Sequence, residues 1–405
     1  MDVAPYDSSD EGSPAMPASC PPHIVFSGGV TGGHLYPGLA VAAAIQDAEP
    51  AARITFAGPG GKDRQAVGRA GHSYLQLACP KAPRNAWRLP SFAQQMFQSQ
   101  WTAGSFLRDN TASAVVGLGG FASVPMALAA RRCRVPLILM EQNAVLGRAN
   151  RWLAQRADTL CLAFRETMNL PSGLRHSPIV TGTPIRAEFC HANWGQTRDA
   201  AERVLLVVGG SGGARDLNEA LPLALCDLAS FNGWRVVHQT GEAGLAATSA
   251  AYQRAGIDAR VVSFFVDMPA MLRQAALVVA RAGGSTLAEL AVAQIPAVLV
   301  PFPQATDDHQ RQNAIRFAQA GAAILVDRQG LPIADLARRL ALTLSPLLAQ
   351  EALRQNLAAS LASLAKPHAA QRIASKVLEV AFQADRKVTS HGATAAIPPA
   401  LPTLN

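Results

Sequence analysis

Short apolar runs alternate with longer amphipathic stretches along this chain of 405 residues. Runs rich in Val, Ile, Leu and Phe predict strands at 23–26, 53–57, 73–76, 114–117, 136–140, 159–162 and 179–180. Between them, stretches with helical spacing predict helices at 39–48, 62–70, 92–108, 124–132 and 148–156. The second half repeats the scheme, with strands expected at 203–208, 235–239, 260–263, 277–280, 297–300 and 323–326. Strands that read as continuous apolar runs, each followed by a helix, are buried on both faces. The expected fold class is therefore α/β, with two doubly wound, Rossmann-like parallel sheets.

Between the halves, polar residues replace the apolar pattern over 186–199, where we place the linker. The expected units are a first domain at 23–190, a second at 200–365 and a C-terminal helical segment at 366–383. Residues 1–22 are acidic and rich in Ser and Pro, without the basic start and apolar core of a signal peptide, and read as a disordered leader. Residues 384–405 read as a disordered tail. No apolar run reaches the roughly 18–20 residues that span a bilayer. The six cysteines are scattered, which fits a reducing compartment and predicts neither a disulfide framework nor a metal site.

Charge is unevenly placed. The net value is +8, but residues 23–186 hold 17 Lys/Arg against 7 Asp/Glu, a net of +10. Such a domain suits an anionic membrane or a phosphorylated substrate. No helix-turn-helix, zinc-finger or aromatic RNA-binding signature accompanies it, so nucleic acid is not expected as a partner.

The candidate chemistry lies at the ends of the expected strands. Ser27-Gly28-Gly29-Val30-Thr31-Gly32-Gly33-His34 joins a strand to a helix, the geometry that offers free backbone N–H groups and a positive dipole end to an anion. His34 lies where that helix would begin and can act as a base. Gly209-Gly210-Ser211-Gly212-Gly213 repeats the arrangement in the second half, and Gly117-Leu118-Gly119-Gly120 is a third such turn. Glu141-Gln142-Asn143 follows another strand, at the end where ligands bind in open α/β sheets. Arg281-Ala282-Gly283-Gly284-Ser285-Thr286 suits a diphosphate, and Glu289 nearby suits ribose hydroxyls. Polar groups cluster again from Gln304 to Asn313, including His309 and Gln310. Singly, a glycine turn is as often structural as functional, and a glutamate near a helix start is more often a dipole partner.

Together, and in this order, G-G-V-T-G-G-H-L-Y-P-G-L-A, G-L-G-G-F-A-S-V-P, E-Q-N-A-V-L-G-R-A-N-R, T-G-T-P-I-R, G-G-S-G-G-A-R-D-L-N, F-F-V-D-M, R-A-G-G-S-T-L-A-E-L and P-F-P-Q-A-T-D-D-H-Q-R-Q-N-A cover roughly residues 24–321. The set resembles the MurG family, the UDP-N-acetylglucosamine–N-acetylmuramyl-(pentapeptide) pyrophosphoryl-undecaprenol N-acetylglucosaminyltransferases. The chain departs from the family's usual residues at Val30, Met140, Thr183 and Gly212, where Gly, His, Asn and Gln are usual.

The resemblance implies a GT-B fold, two Rossmann-like domains facing a cleft, with the 366–383 helix packed on the first. It implies inverting transfer of GlcNAc from UDP-GlcNAc to the 4-hydroxyl of the muramyl sugar on lipid I, giving lipid II for peptidoglycan. The catalytic candidates are His34 and, as the alternative base, Glu141. Donor contacts are implied for Thr31, Gly32, Gly33, Asn143, Arg186, Ser211, Phe264, Phe265 (through its backbone), Gly284, Ser285, Thr286, Glu289, His309 and Gln310. Acceptor contacts are implied for Thr31, His34, Asn150 and Asn218. No cofactor or metal is expected, since the chain has no D-x-D sequence. Implied partners are UDP-GlcNAc, lipid I, an anionic membrane surface and other cell-wall synthesis proteins, at the cytoplasmic face of the inner membrane. The segment 81–92, which mixes Lys81, Arg84 and Arg88 with Trp87, Leu89 and Phe92, is the expected membrane contact. Two other readings stay open at this point, a different GT-B glycolipid transferase and a catalytically impaired cell-wall scaffold.

Overall fold

The computed structural model describes residues 21–29, 32–80, 85, 87, 89–191, 194, 203–210, 212–226 and 228–392, with backbone alone at 32, 191 and 385–392. Val30, Thr31, Ser211, Lys81, Arg84, Arg88, nearly all of the leader and half of the linker lie outside the described residues, as does the tail from residue 393.

The first half forms strands β1 (His23–Ser27), β2 (Arg53–Gly58), β3 (Ser73–Gln76), β4 (Ala114–Gly117), β5 (Leu137–Glu141), β6 (Thr159–Leu162) and β7 (Ile179–Val180). They are connected through helices α1 (Gly32–Ala48), α2 (Lys62–Arg69), α3 (Leu89–Asp109), α4 (Val124–Arg132) and α5 (Arg148–Leu153), and α6 (Ala187–His191) leads out. The second half forms β8 (Arg203–Val208), β9 (Trp234–Gln239), β10 (Ala259–Val262), β11 (Ala275–Ala280), β12 (Ala297–Leu299) and β13 (Ile324–Leu325). Its connections are α7 (Arg215–Leu225), α8 (Leu245–Arg254), α9 (Met268–Gln274), α10 (Gly284–Ala293) and α11 (His309–Gln319). Helices α12 (Ile333–Ala349), α13 (Glu351–Leu361) and α14 (Ala369–Gly392) close the chain.

Among the described residues both sheets are wholly parallel, in the orders β3-β2-β1-β4-β5-β6-β7 and β10-β9-β8-β11-β12-β13. Strand order reverses between β1 and β4 in the first sheet and between β8 and β11 in the second. These switch points open crevices at the carboxyl ends of the strands. The central strands are apolar because both their faces are covered. Ile24 and Phe26 pack with Val41 and Ile45 on one side of the first sheet, while Val25 and Val115 pack with Leu107 and Met126 on the other. In the second sheet Leu206 and Val208 meet Leu287 and Leu290, and Leu205 and Val207 meet Leu217 and Leu340.

Two elements differ from the sequence reading. Helix α1 begins at Gly32 rather than 39, because Pro37, which reads as a breaker, is accommodated inside the helix. The chain from 384 is helical as far as Gly392 instead of starting a disordered tail. Its charged residues break the apolar periodicity without opposing a helix. Within α14, Ala370, Ile373, Ala374, Val377 and Ala381 form a stripe buried in the first domain's core beside Val41 and Ile45. The second half therefore ends by tying itself to the first.

Candidate functional site: the cleft between the two sheets

The glycine loops follow β1 and β4 in one sheet and β8 and β11 in the other, the four strands that flank the two switch points. In the first domain the two loops nearly touch. Gly28 has a φ of 124°, and a Cβ there would lie 2.8 Å from the Gly119 carbonyl oxygen, so glycine is required on both counts. His34, in the first turn of α1, lays its ring against the second loop: a Cβ on Gly119 would lie 3.2 Å from its Cδ2. The imidazole is half-buried. Burial lowers its pKa from 6.5, the nearby Glu141 carboxylate opposes that shift, and His309 of the second domain adds to it. A histidine held this way is neutral at pH 7 and able to accept a proton.

Glu141 ends β5 and is buried. Its Oε1 accepts from the Asn143 backbone N–H at 3.1 Å and from Asn143 Nδ2 at 3.0 Å. Its Oε2 accepts from the Gly147 N–H at 2.9 Å and Asn150 Nδ2 at 3.0 Å. Both oxygens are thus engaged in folding the 142–147 loop back on the strand. The carboxylate that the sequence offers as the alternative base therefore holds its own loop, close enough to His34 to act on its charge. Asn150 is 1% exposed and also donates to the Met140 carbonyl at 2.9 Å, so it supports Glu141 from below. Met140 itself is buried among apolar side chains, which explains why a thioether is accepted there.

Across the cleft, α10 presents its N-terminus to α1. Ser285 Oγ donates to the Gly33 carbonyl at 3.2 Å. That carbonyl is open because Pro37, four residues on, has no N–H to give it. Gly284 packs so closely on the Gln142 carbonyl that no side chain would fit. Glu289, one turn further along α10, has its pKa raised to about 7 by burial, with Arg186 pulling it down and Glu188 pushing it up. The Arg186 guanidinium lies 5.7 Å from the centre of the Tyr36 ring and 5.2 Å from that of Phe189. Arg186 and Glu289 therefore share the entrance to the α10 N-terminus with Tyr36 of the first domain. Phe264 is 50% exposed, while the Phe265 side chain is buried in the core, leaving only its backbone for a ligand.

The loop after β12 reaches back to the first domain. His309 Nδ1 pairs with the Thr306 carbonyl oxygen at 2.7 Å, and Gln310 Oε1 accepts from the Phe302 N–H at 3.0 Å. Asp307 and Asp308 are both left-handed, with φ of 51° and 54°, a strained arrangement for consecutive non-glycine residues. Asp307 is gripped by Arg148 of α5, with Nη2 to Oδ1 at 2.7 Å and Nε to Oδ1 at 3.0 Å. Asn313, fully buried, donates to Asn143 Oδ1 and to the Ala282 carbonyl, both at 3.0 Å, and accepts from the Ala144 N–H at 2.7 Å. Beneath the donor side, buried Arg281 is paired with Asp216 and donates to the Val300 and Pro301 carbonyls at 3.0 and 3.1 Å. Sequence reading did not reach the Arg148–Asp307 or Arg281–Asp216 pairs. Their partners are far apart in the chain, and no local spacing marks either one.

The structure thus gathers His34, Asn143, Arg186, Gly284, Ser285, Thr286, Glu289, His309 and Gln310 around one cleft. Asn218 stands apart, buried in α7 with Nδ2 bonded to the Thr240 carbonyl at 3.0 Å. The arrangement offers a neutral base on one wall and helix N-termini with an arginine on the other, which suits displacement at a sugar carrying a diphosphate.

Comparison with known proteins agrees with this chemistry. The glycosyltransferase family 28 N-terminal domain matches residues 24–161, and the family's C-terminal domain matches residues 204–373. The chain is 38% identical over 362 residues to the UDP-N-acetylglucosamine–N-acetylmuramyl-(pentapeptide) pyrophosphoryl-undecaprenol N-acetylglucosamine transferase of Azotobacter vinelandii, covering 89% of this chain and 99% of the relative. It is 39% identical over 325 residues to the protein of that name from Nitratidesulfovibrio vulgaris, covering 77% and 84%. Among solved structures, MurG of Acinetobacter baumannii superposes with a TM-score of 0.70 at 29% identity, covering 89% of this chain and all of that one.

Proposed function

The chain belongs to glycosyltransferase family 28, in its group of UDP-N-acetylglucosamine–N-acetylmuramyl-(pentapeptide) pyrophosphoryl-undecaprenol N-acetylglucosamine transferases, and from that premise we propose that it moves GlcNAc from UDP-GlcNAc to lipid I, forming lipid II. His34 takes the proton from the acceptor's 4-hydroxyl. The oxygen attacks C1 of the donor sugar opposite the diphosphate, the C1–O bond breaks, and its electron pair leaves with UDP. Backbone N–H groups at the start of α10, with Arg186, receive the developing charge. Glu289 holds the ribose, Phe264 and the Phe265 backbone hold the uracil, and His309, Gln310 and Asn143 face the GlcNAc hydroxyls. The observation that carries this reading is the Ser285–Gly33 contact, which brings the diphosphate turn onto the loop that bears the base.

The acceptor's lipid requires approach to a bilayer. Trp87 is 94% exposed, and Phe97 and Trp101, one turn apart on α3, are 62% and 66% exposed. With Lys81, Arg84 and Arg88 they supply the mix of aromatic and cationic groups that suits an anionic interface. No described helix is long and apolar enough to cross a membrane. The chain attaches peripherally, at the cytoplasmic face.

The test is release of UDP from UDP-GlcNAc, with and without a lipid I analogue and in excess chelator. Acceptor-dependent release that persists in chelator is expected. Release that ignores the acceptor defeats the transfer reading, and release restored only by Mg²⁺ or Mn²⁺ defeats the metal-free one.

A further inference from the structure

The second domain holds a groove of about 800 Å³ between α7 and α8 that the transfer chemistry leaves unused. Its upper end, at Gly212, Thr240 and Gly244, lies at the carboxyl edge of the second sheet, which faces the first domain. Its lower end is marked by Arg254, and the walls between are apolar, with Pro222, Leu223 and Ala251. Asn218 stands at the upper end, 7% exposed, and its Oδ1 is buried with no hydrogen-bond partner among the described residues. Pro222, inside α7, has no N–H, so the Asn218 carbonyl also lacks its regular helix donor. Two oxygen acceptors at one end thus lack regular donors. Arg254, in the last turn of α8, makes no ion pair among the described residues, whereas Arg215 is held by Glu219 at 2.8 Å.

We propose that this groove holds the peptide stem of the acceptor in extended form, with its sugar-linked end at Asn218 and its terminal carboxylate at Arg254. This rests on the acceptor proposed above. A peptide amide-linked through its N-terminus to a muramyl sugar offers N–H donors at that end and its terminal main-chain carboxylate at the other. Five extended residues reach about 17 Å, and the ten residues of α8 rise about 15 Å. The lengths match when the sugar lies in the cleft and the peptide runs down the groove. The apolar walls take its side chains, and the guanidinium takes the carboxylate in a charge-assisted pair.

The experiment uses three lipid I analogues that share sugar and lipid: the pentapeptide, the same peptide ending in a carboxamide, and a tripeptide. Each is turned over by the full chain and by its Arg254→Gln and Ala251→Trp variants. Arg254→Gln is expected to raise the pentapeptide KM about tenfold, with kcat and the UDP-GlcNAc KM unchanged and no effect on the other two acceptors. Ala251→Trp, which fills the groove without touching charge, is expected to raise the pentapeptide KM while leaving the UDP-GlcNAc KM unchanged. Equal KM values for the three acceptors with the unmodified chain overturn the proposal, as does an Arg254→Gln effect shared by all of them. Lack of turnover of every acceptor by the unmodified chain defeats the transfer reading itself, a result distinct from either.

Discussion

His34 and Glu289 both act in their deprotonated forms, and burial moves their pKa values in opposite directions. The lowered pKa of His34 predicts that its acid limb in kcat/KM for the acceptor lies below 6.5, the ordinary histidine value. His34→Ala is expected to cut turnover by ~10²–10⁴-fold while donor affinity, measured by calorimetry, stays intact; a defect confined to acceptor KM would make His34 a binding residue. Glu289 titrates at about 7, and only its ionised form accepts two ribose hydroxyls. Donor affinity should therefore climb as pH rises through 7. Glu289→Gln should flatten that rise, and Glu289→Ala should weaken binding by ~10–100-fold. The sign for stability is opposite. A carboxyl that titrates at 4.5 when unfolded and near 7 when folded contributes stability in full below 4.5 and loses it as pH rises through 7. Thermal unfolding of the ligand-free chain at pH 5 and pH 8 should show that loss, and Glu289→Gln should not. His34 and Glu289 were legible in the sequence because each follows a glycine turn. The supporting role of Glu141 was not, since the four N–H groups that engage it are set by how its loop folds back.

Among the elements, the loops that meet across the cleft carry most of the geometry. Pro37 reads as an interruption of a helix, yet its missing N–H is what leaves the Gly33 carbonyl for Ser285. The 302–308 loop, left-handed at Asp307 and Asp308, is gripped through Asp307 by Arg148 from the other domain. Arg148→Ala should raise the UDP-GlcNAc KM several-fold by loosening His309 and Gln310, and added salt should narrow the gap by weakening the wild-type pair. The swap Arg148→Asp with Asp307→Arg should restore part of the loss; no recovery would show that the pair is only a surface contact. On the outer face, α3 was legible as a helix from its spacing, but its exposed Phe97 and Trp101 are seen as a patch only once the fold shows what leaves them uncovered. Changing Arg84 and Arg88 to Glu should reduce co-sedimentation with anionic vesicles, most clearly at low salt, and spare turnover of a short-chain acceptor. Unchanged co-sedimentation would make the segment an ordinary surface.

For the whole molecule, the alternation of apolar runs and amphipathic stretches was enough to anticipate two doubly wound sheets, and the glycine turns marked their binding edges. What the alternation does not encode is how the two sheets meet. That depends on contacts between residues far apart in the chain, such as Asn313 with Asn143 and Ala144, and on α14 returning to the first core. On the proposed reading the cleft sets base and diphosphate turn on opposite walls, which favours one displacement from the face opposite UDP. The anomeric configuration of the disaccharide formed from UDP-GlcNAc and a lipid I analogue, read from its proton coupling, tests this most directly. A β-linked product from the α-linked donor is the predicted result; an α-linked product would contradict the single displacement and the role of His34 in it.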